Sequence, residues 1–169
     1  VTERHLAFLM PPLFFEETDG DTFLERHRWR PEAASRILLV AKDDFASRRW
    51  LEAPPSFGFH FANAWEDATA LRIDACLYPD ARVMFEDQAR VMTGGLVERS
   101  SRPRATTLSI DLASGRVASE ARDRESEFPG IDLRDSGHRH RHVFALARVA
   151  GGAAAHPLLN GLVREDVEQ

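Results

Sequence analysis

The sequence predicts an all-β fold, and three observations lead to this prediction. Short apolar runs recur along the 169 residues and are stopped by proline, glycine or acidic turn signals. Two runs, 70–78 and 106–112, alternate apolar and other residues with the period of two that a half-buried strand requires. Only 31–35 and 81–93 have helical character, as a single turn and a short helix. Many short strands with frequent turns are typical of a sandwich, a barrel or a propeller.

The first strands are predicted from runs that end at prolines or at an acidic turn. The run 5–10 is stopped by two prolines, because proline cannot donate to a strand ladder. The run 37–41 is rich in branched residues and ends at a Lys-Asp-Asp turn. Trp50 and Leu51 then lead into another pair of prolines.

The central strands are predicted to pair as hairpins. The run 57–65 alternates large residues with small or polar ones, and the run 70–78 follows it after an acidic linker. The run 106–112 is followed by an Ala-Ser-Gly-Arg turn and a return strand that begins at 117–120. Further strands are expected at 140–149, which Gly151 and Gly152 close, and at 158–163.

Composition and charge exclude some classes of function and favour others. The net charge is −5, with acidic and basic residues interspersed, which argues against a nucleic-acid binder because such proteins carry a basic patch. No run approaches the ~20 apolar residues of a membrane-spanning helix. The single cysteine, Cys76, fits a reducing compartment, so a cytoplasmic location is expected. The chain begins without methionine and ends in a charged stretch, which suggests a fragment that aggregates when expressed alone.

Seven histidines are present, and none of them lies in a zinc-finger motif or in the HExxH motif of a zinc protease. His60 lies between two phenylalanines on a predicted strand, where a ring nitrogen needs a partner. Glu127 lies beside Phe128 in an apolar setting. For His60 a packed core histidine is the alternative interpretation, and for Glu127 it is a carboxylate that faces water. His138, His140 and His142 would share one face of a strand, either as a chelating row or as a solvated or half-buried edge.

Several motifs, in order along nearly the whole chain, resemble the carotenoid cleavage oxygenase superfamily. The segment FHFANAWED around His60 is similar to the signature of an iron-binding histidine in that family, although Trp65 replaces a more usual tyrosine or phenylalanine. Residues 104–112 with the turn behind them resemble the following strand-turn-strand unit. SEFPGID around Glu127 resembles the family's EFP segment, and the strand from Gly137 resembles the arginine- and aromatic-rich strand that comes next.

The resemblance implies a fold and three site residues. The family fold is a seven-bladed β-propeller with Fe(II) on its axis, so residues 1–169 would be roughly two to three blades of one propeller domain, truncated at both ends. His60 matches one of four histidine ligands of the iron. Glu127 matches a glutamate that hydrogen-bonds the other ring nitrogen of that histidine, which fixes the tautomer. Phe59 matches an aromatic residue that lines the substrate tunnel, with ordinary core packing as the alternative.

The resemblance also implies an activity. The family uses Fe(II) and dioxygen to cleave a carbon–carbon double bond of an apolar polyene or an aryl alkene into carbonyl products. The other three ligands have no match in this chain, so it is expected to be inactive by itself. An isomerase of the same family and a non-catalytic propeller that serves as a binding module are the alternatives, and membrane association is left open.

Overall fold

The computed structural model describes residues 1–17, 19–20, 22–95, 101–149 and 159–167. Within these residues the chain forms eleven strands and a few short helical segments. The strands are β1 (His5–Met10), β2 (Leu13–Phe15), β3 (His27–Trp29), β4 (Ser35–Ala41), β5 (Arg48–Ala53), β6 (Phe57–Glu66), β7 (Ala70–Tyr78), β8 (Arg104–Asp111), β9 (Val117–Gly130), β10 (His142–Ala147) and β11 (Gly161–Asp166). The helical segments are 3₁₀ turns at Pro31–Ala33 and Leu133–Asp135, a π-helix at Val83–Gln88 and α1 (Ala89–Met92).

The strands pair into three antiparallel sheets. One sheet has the order β1-β4-β5, and a small ribbon joins β2 to β3. The largest sheet runs from β6 to β11 with each strand beside its neighbour in sequence. β9 takes part in two ladders, because its first residues pair with β8 and its last residues pair with β10. Consecutive antiparallel strands are the local arrangement of a propeller blade, and the prediction of an all-β, partial propeller is confirmed.

The main core lies between the β1-β4-β5 sheet and one face of the large sheet. Alternate residues of β7, such as Leu71 and Ile73, point to this face and meet Ile37 and Leu39 from β4. Burying such side chains supplies the main driving force for folding, at roughly 25 cal/mol per Å² of apolar area. The other face of β7 carries Asp74, Cys76 and Tyr78, and Tyr78 belongs to a second apolar cluster with Phe57 and Met84.

Two β-bulges in β6 determine which of its side chains lie on the face opposite the main core. The pairing with β7 shifts register between Gly58 and His60, and again between Phe61 and Asn63. Because side chains alternate between faces, a one-residue shift moves the following residues to the opposite face. His60 and Asn63 are three positions apart, so a regular strand would place their side chains on opposite faces. The bulge between Phe61 and Asn63 brings them to the same face.

Most predicted elements are present, and the differences have physical causes. β2 and β3 were not predicted, because each has only three residues and lacks a readable alternation. β9 is much longer than the predicted return strand at 117–120 and includes Glu127. The last predicted strand begins at Gly161, while residue 158, the glycines at 151 and 152, and His156 lie outside the described residues. No helix in the described part of the chain has the length and hydrophobicity needed to span a membrane.

Candidate metal site

His60 and Glu127 come together although 67 residues separate them in the sequence. Nδ1 of His60 lies 2.8 Å from Oε2 of Glu127, within the range expected for a hydrogen bond. The Glu127 side chain is only 5% exposed, whereas the His60 side chain is 42% exposed. The carboxylate therefore engages one edge of the ring from the protein interior, and the edge that carries Nε2 is left for another partner.

The Glu127 carboxylate is held by its own backbone as well as by His60. Oε2 also accepts a hydrogen bond of 2.6 Å from the backbone N–H of Phe128. Oε1 is buried and has no hydrogen bond of standard geometry with any described residue. With Oε2 engaged twice, the carboxylate cannot rotate freely, so it fixes the orientation of the imidazole.

Phe128 has an unusual backbone conformation directly after Glu127. Its φ is 55°, in the left-handed region that non-glycine residues rarely adopt. The register between β9 and β10 shifts between Glu127 and Gly130, so Phe128 lies in a bulge. Its ring packs against the His60 ring, with centroids 4.5 Å apart, and remains exposed on its outer side. Sequence reasoning did not assign this residue to the site, although its position beside Glu127 was the available signal.

Phe59 belongs to a cluster of aromatic rings next to the pair. Its ring lies 4.8 Å from Phe57 and 5.9 Å from Tyr78, both in edge-to-face geometry. The distance to the His60 ring is longer, at 6.2 Å. These contacts are those of aromatic packing in a core, so a tunnel-lining role for Phe59 stays a prediction.

The negative charge of Glu127 affects the acidity of two neighbouring groups. Burial, and then the charge of Glu127, raises the pKa of Tyr78 well above its ordinary value of 10.0. Burial and the same charge raise the pKa of the Cys76 thiol to about 12. Both groups therefore stay neutral at physiological pH, so neither of them adds a second negative charge beside Glu127.

An open cavity of about 800 Å³ borders the acid side of the pair. Glu127, Phe128 and Tyr78 line one wall, and Val91, Met92 and Leu146 supply apolar surface elsewhere. Few polar groups face this space, which suits an apolar ligand that is oriented by a small number of polar contacts.

The other histidines that the structure describes do not join His60. His140 lies outside β10 and is fully buried, His138 is exposed, and His142 begins β10, so the chelating row considered from the sequence is not formed. His27 lies on β3 and contacts Phe15 and Phe23. No group of three or more histidine, cysteine or acidic side chains among the described residues is arranged to hold a metal. His60 is therefore a single candidate ligand, with its orienting carboxylate in place.

Comparison with known proteins identifies the family. The family model for the retinal pigment epithelial membrane protein matches residues 1–169. The chain is 30% identical over 132 residues to the carotenoid cleavage oxygenase of Mycobacterium tuberculosis, covering 75% of this chain and 25% of that protein. It is 26% identical over 129 residues to the isoeugenol monooxygenase of Pseudomonas putida, covering 70% of this chain and 25% of that protein.

A solved structure shows the same fold. The cobalt-substituted apocarotenoid oxygenase of Synechocystis superimposes with a TM-score of 0.73 at 22% identity, covering 99% of this chain and 35% of that one. The chain thus spans about a quarter of the length of these curated relatives and about a third of the solved structure. Since the family match extends over every residue, this chain belongs to the family of the retinal pigment epithelial membrane protein, to which its carotenoid cleavage oxygenase relatives also point.

Proposed function

We propose that this chain is part of a non-haem Fe(II) dioxygenase that cleaves a carbon–carbon double bond, with His60 as one iron ligand. The observation that carries the proposal is the hydrogen bond between Nδ1 of His60 and the buried Glu127, on a histidine whose side chain is 42% exposed. A histidine that ligates a metal commonly donates its other N–H to a carboxylate, and this partner raises the basicity of the ligating nitrogen. An ordinary core histidine would instead be packed on both edges.

The residues around His60 fit a metal ligand in their chemistry. Glu127 accepts from Nδ1, which leaves Nε2 deprotonated in the neutral ring and able to donate its lone pair. Phe128 covers one side of the imidazole and limits its rotation. Neutral imidazoles suit Fe(II). Fe(II) bound there would supply the redox chemistry by which dioxygen cleaves an alkene.

In this proposal Glu127 and Phe128 position the His60 ring, and the other three iron ligands come from elsewhere in the protein. The family resemblance places three further histidines outside this chain, so residues 1–169 alone are proposed to be inactive. They would form part of one propeller domain in a longer protein. The free, buried Cys76 is compatible with the cytoplasmic location that we propose.

The proposed substrate is an apolar polyene or an aryl alkene, together with dioxygen. Two relatives are named for a carotenoid and for isoeugenol, which represent these two types of alkene. The cavity beside Glu127, with the exposed ring of Phe128 in its wall, supports the binding of an apolar ligand near the His60–Glu127 pair. Phe128 is therefore a stronger candidate for substrate contact than Phe59, whose ring is engaged by Phe57 and Tyr78.

The test uses the full-length protein and compares His60→Ala with His138→Ala, which changes an exposed histidine. We expect His60→Ala to lose bound iron and alkene cleavage, while the control retains both. Iron is measured by elemental analysis after gel filtration, and products are analysed after reaction under ¹⁸O-labelled dioxygen. Iron content that is unchanged in His60→Ala would refute the ligand role. Isomerised product without ¹⁸O would indicate the isomerase alternative, and no iron in the wild-type protein would indicate a binding module.

A further inference from the structure

The site needs an additional means of holding its two halves together. His60 is on β6 and Glu127 is on β9, and two strands, β7 and β8, lie between them in the sheet. The pairing of neighbouring strands therefore does not by itself fix the 2.8 Å distance between Nδ1 and Oε2. Both residues also lie beside register shifts, where the ladder is interrupted. Contacts that join β6 directly to the segment after Glu127 must set the geometry.

Asn63 makes these contacts. It is buried on the same face of β6 as His60, and its Nδ2 donates to the carbonyl oxygens of His138 at 2.9 Å and Asp135 at 3.2 Å. Its Oδ1 accepts from the backbone N–H of Gly137 at 3.0 Å. These partners all belong to the connection that leaves β9 a few residues after Glu127. Asn63 thus joins the strand of the histidine to the segment of its carboxylate.

His140 completes this arrangement from the end of the same connection. Its side chain is 0% exposed, and its Nδ1 lies 3.1 Å from Nδ2 of Asn63. Nδ2 has two hydrogens for these three neighbours, so one of them is shared. The amide nitrogen can only donate, so in this contact Nδ1 of His140 accepts and the neutral ring has its proton on Nε2. Nε2 faces Oδ2 of the buried Asp74 at 3.5 Å, a charge–dipole contact too long for a normal hydrogen bond, and Nε2 has no hydrogen-bond partner among the described residues. Oδ1 of Asp74 accepts from Thr107 at 2.5 Å.

We propose that Asn63, His140 and Asp74 form a positioning network that holds His60 in register with Glu127. The inference rests on the proposed role of His60 as a ligand, and none of the three residues is proposed to touch iron or substrate. The network spans β6, β7 and the connection after β9, with Thr107 adding β8. A buried polar network favours one arrangement, because each hydrogen bond lost from it leaves another buried polar group without a partner.

The experiment measures whether a change at His140 reaches Glu127. In the metal-free full-length protein, His140→Phe removes the ring nitrogens at similar volume, and His138→Phe is the matched control on an exposed position. Hydrogen exchange at the Phe128 N–H, which donates to Glu127, is followed by mass spectrometry of short peptides. We expect exchange about tenfold faster in His140→Phe than in the control. His140→Gln, whose amide can accept from Asn63 and donate to Asp74, should restore most of the protection.

Two further measurements keep the proposal open to refutation. Iron affinity should fall about tenfold in His140→Phe, as for other losses of support around a ligand histidine. If His140→Phe does not fold, Thr107→Val removes one hydrogen bond at equal volume and should accelerate exchange at Phe128 to a smaller degree. Exchange at Phe128 that is unchanged in a folded variant overturns the network. The His60→Ala comparison tests the ligand role separately. If it shows that His60 does not bind iron, the exchange measurement at Phe128 still decides whether the network exists.

Discussion

Two histidine–glutamate pairs in this protein have the same geometry and different surroundings. Nδ1 of His5 lies 2.8 Å from Oε2 of Glu66, the same distance as between His60 and Glu127. Glu66 also accepts from the Thr2 hydroxyl at 2.5 Å and from the Arg4 backbone at 2.7 Å, and it pairs with the Arg4 guanidinium at 3.0 Å. Glu127 accepts from His60 and from the backbone N–H of Phe128, and its remaining side-chain contact is with the hydroxyl of Tyr78 rather than with a cation.

The difference shows that distance alone does not identify a functional pair. Burial alone would raise the pKa of Glu66, but the hydrogen bonds from Thr2, Arg4 and His5 outweigh it and lower the pKa to about 2. That carboxylate is saturated and serves to anchor the first residues of the chain to the end of β6. Glu127 has no arginine or lysine among its hydrogen-bond partners in the described part of the chain, and the side chain of its histidine is 42% exposed, which is the arrangement expected of a carboxylate that orients a ligand.

The largest effect is expected at the anchor pair. Glu66→Ala leaves the buried ends of Thr2 and His5 without their acceptor, and we expect the free energy of unfolding to fall by about 3 kcal/mol. Urea titration of the full-length protein measures this loss. Glu3→Ala, an exposed control beside the same network, should change stability by less than about 0.5 kcal/mol. Equal effects of the two substitutions would mean that Glu66 is not an anchor.

Acid should weaken the anchor pair in a defined range. The folded pKa of Glu66, about 2, is below its ordinary value of 4.5, so the unfolded chain binds this proton more readily. The stabilisation is complete above pH 4.5 and is lost as the pH falls toward 2. Glu66→Gln should remove that part of the acid dependence. Urea midpoints at pH 6, 4 and 3 test this, and parallel curves for the two proteins would contradict it.

A smaller change, and one in a different property, is expected at the His60–Glu127 pair. Glu127→Gln keeps the size of the side chain but weakens its hold on the histidine tautomer, so iron affinity should fall about 10- to 100-fold. Stability should change much less than in Glu66→Ala. Isothermal titration with Fe(II) under anaerobic conditions gives the affinity. A variant that loses stability but binds iron normally would place Glu127 with Glu66 as a structural residue.

Phe128 provides a finer distinction. Phe128→Gly removes the ring from His60 but relieves the left-handed backbone, whereas Phe128→Ala removes the ring and keeps the strain. We therefore expect the glycine variant to be more stable than the alanine variant by about 1 kcal/mol. Paired urea titrations measure the difference. An alanine variant of equal stability would show that the backbone relaxes when the ring is removed.

The smallest effect concerns the thiol of Cys76. Its pKa is raised to about 12, chiefly by burial and secondarily by the charge of Glu127. Glu127→Gln removes only the secondary cause, so labelling by iodoacetamide at pH 8.5 should remain slow and increase by a small factor. Peptide mapping of the labelled protein measures the rate. A large acceleration would indicate that the substitution has opened the site.

Much of the fold could be predicted from the sequence because local patterns determine it. The alternation in β7 and β8 and the turn after Asp111 were sufficient to place these elements. The contact between His60 and Glu127 was expected from a family resemblance, since no local pattern reports a hydrogen bond between residues 67 positions apart. Their roles as ligand and orienting residue remain predictions, as does that of Phe59.

The parts that could not be predicted depend on tertiary contacts. The bulges of β6 break the period of two, so the faces of His60 and Asn63 cannot be read from alternation. Most of β9 is polar because its side chains lie largely outside the core, and a polar run does not resemble a strand. The burial of His140 depends on Asn63 and Asp74, which lie far from it in the sequence. Asn63 satisfies backbone groups of the connection after β9, which its own segment of sequence does not reveal.

The shared strand β9 has a consequence for how the chain tolerates changes in length. The pairing of β9 with β8 already contains a bulge between Ala121 and Glu125, just before the residues of β9 that pair with β10. Deleting one residue there would turn the carboxylate of Glu127 away from β6, since neighbouring side chains point in opposite directions. Insertions and deletions should therefore be tolerated at loop tips such as the turn around Gly115, while this strand has to keep its residue count.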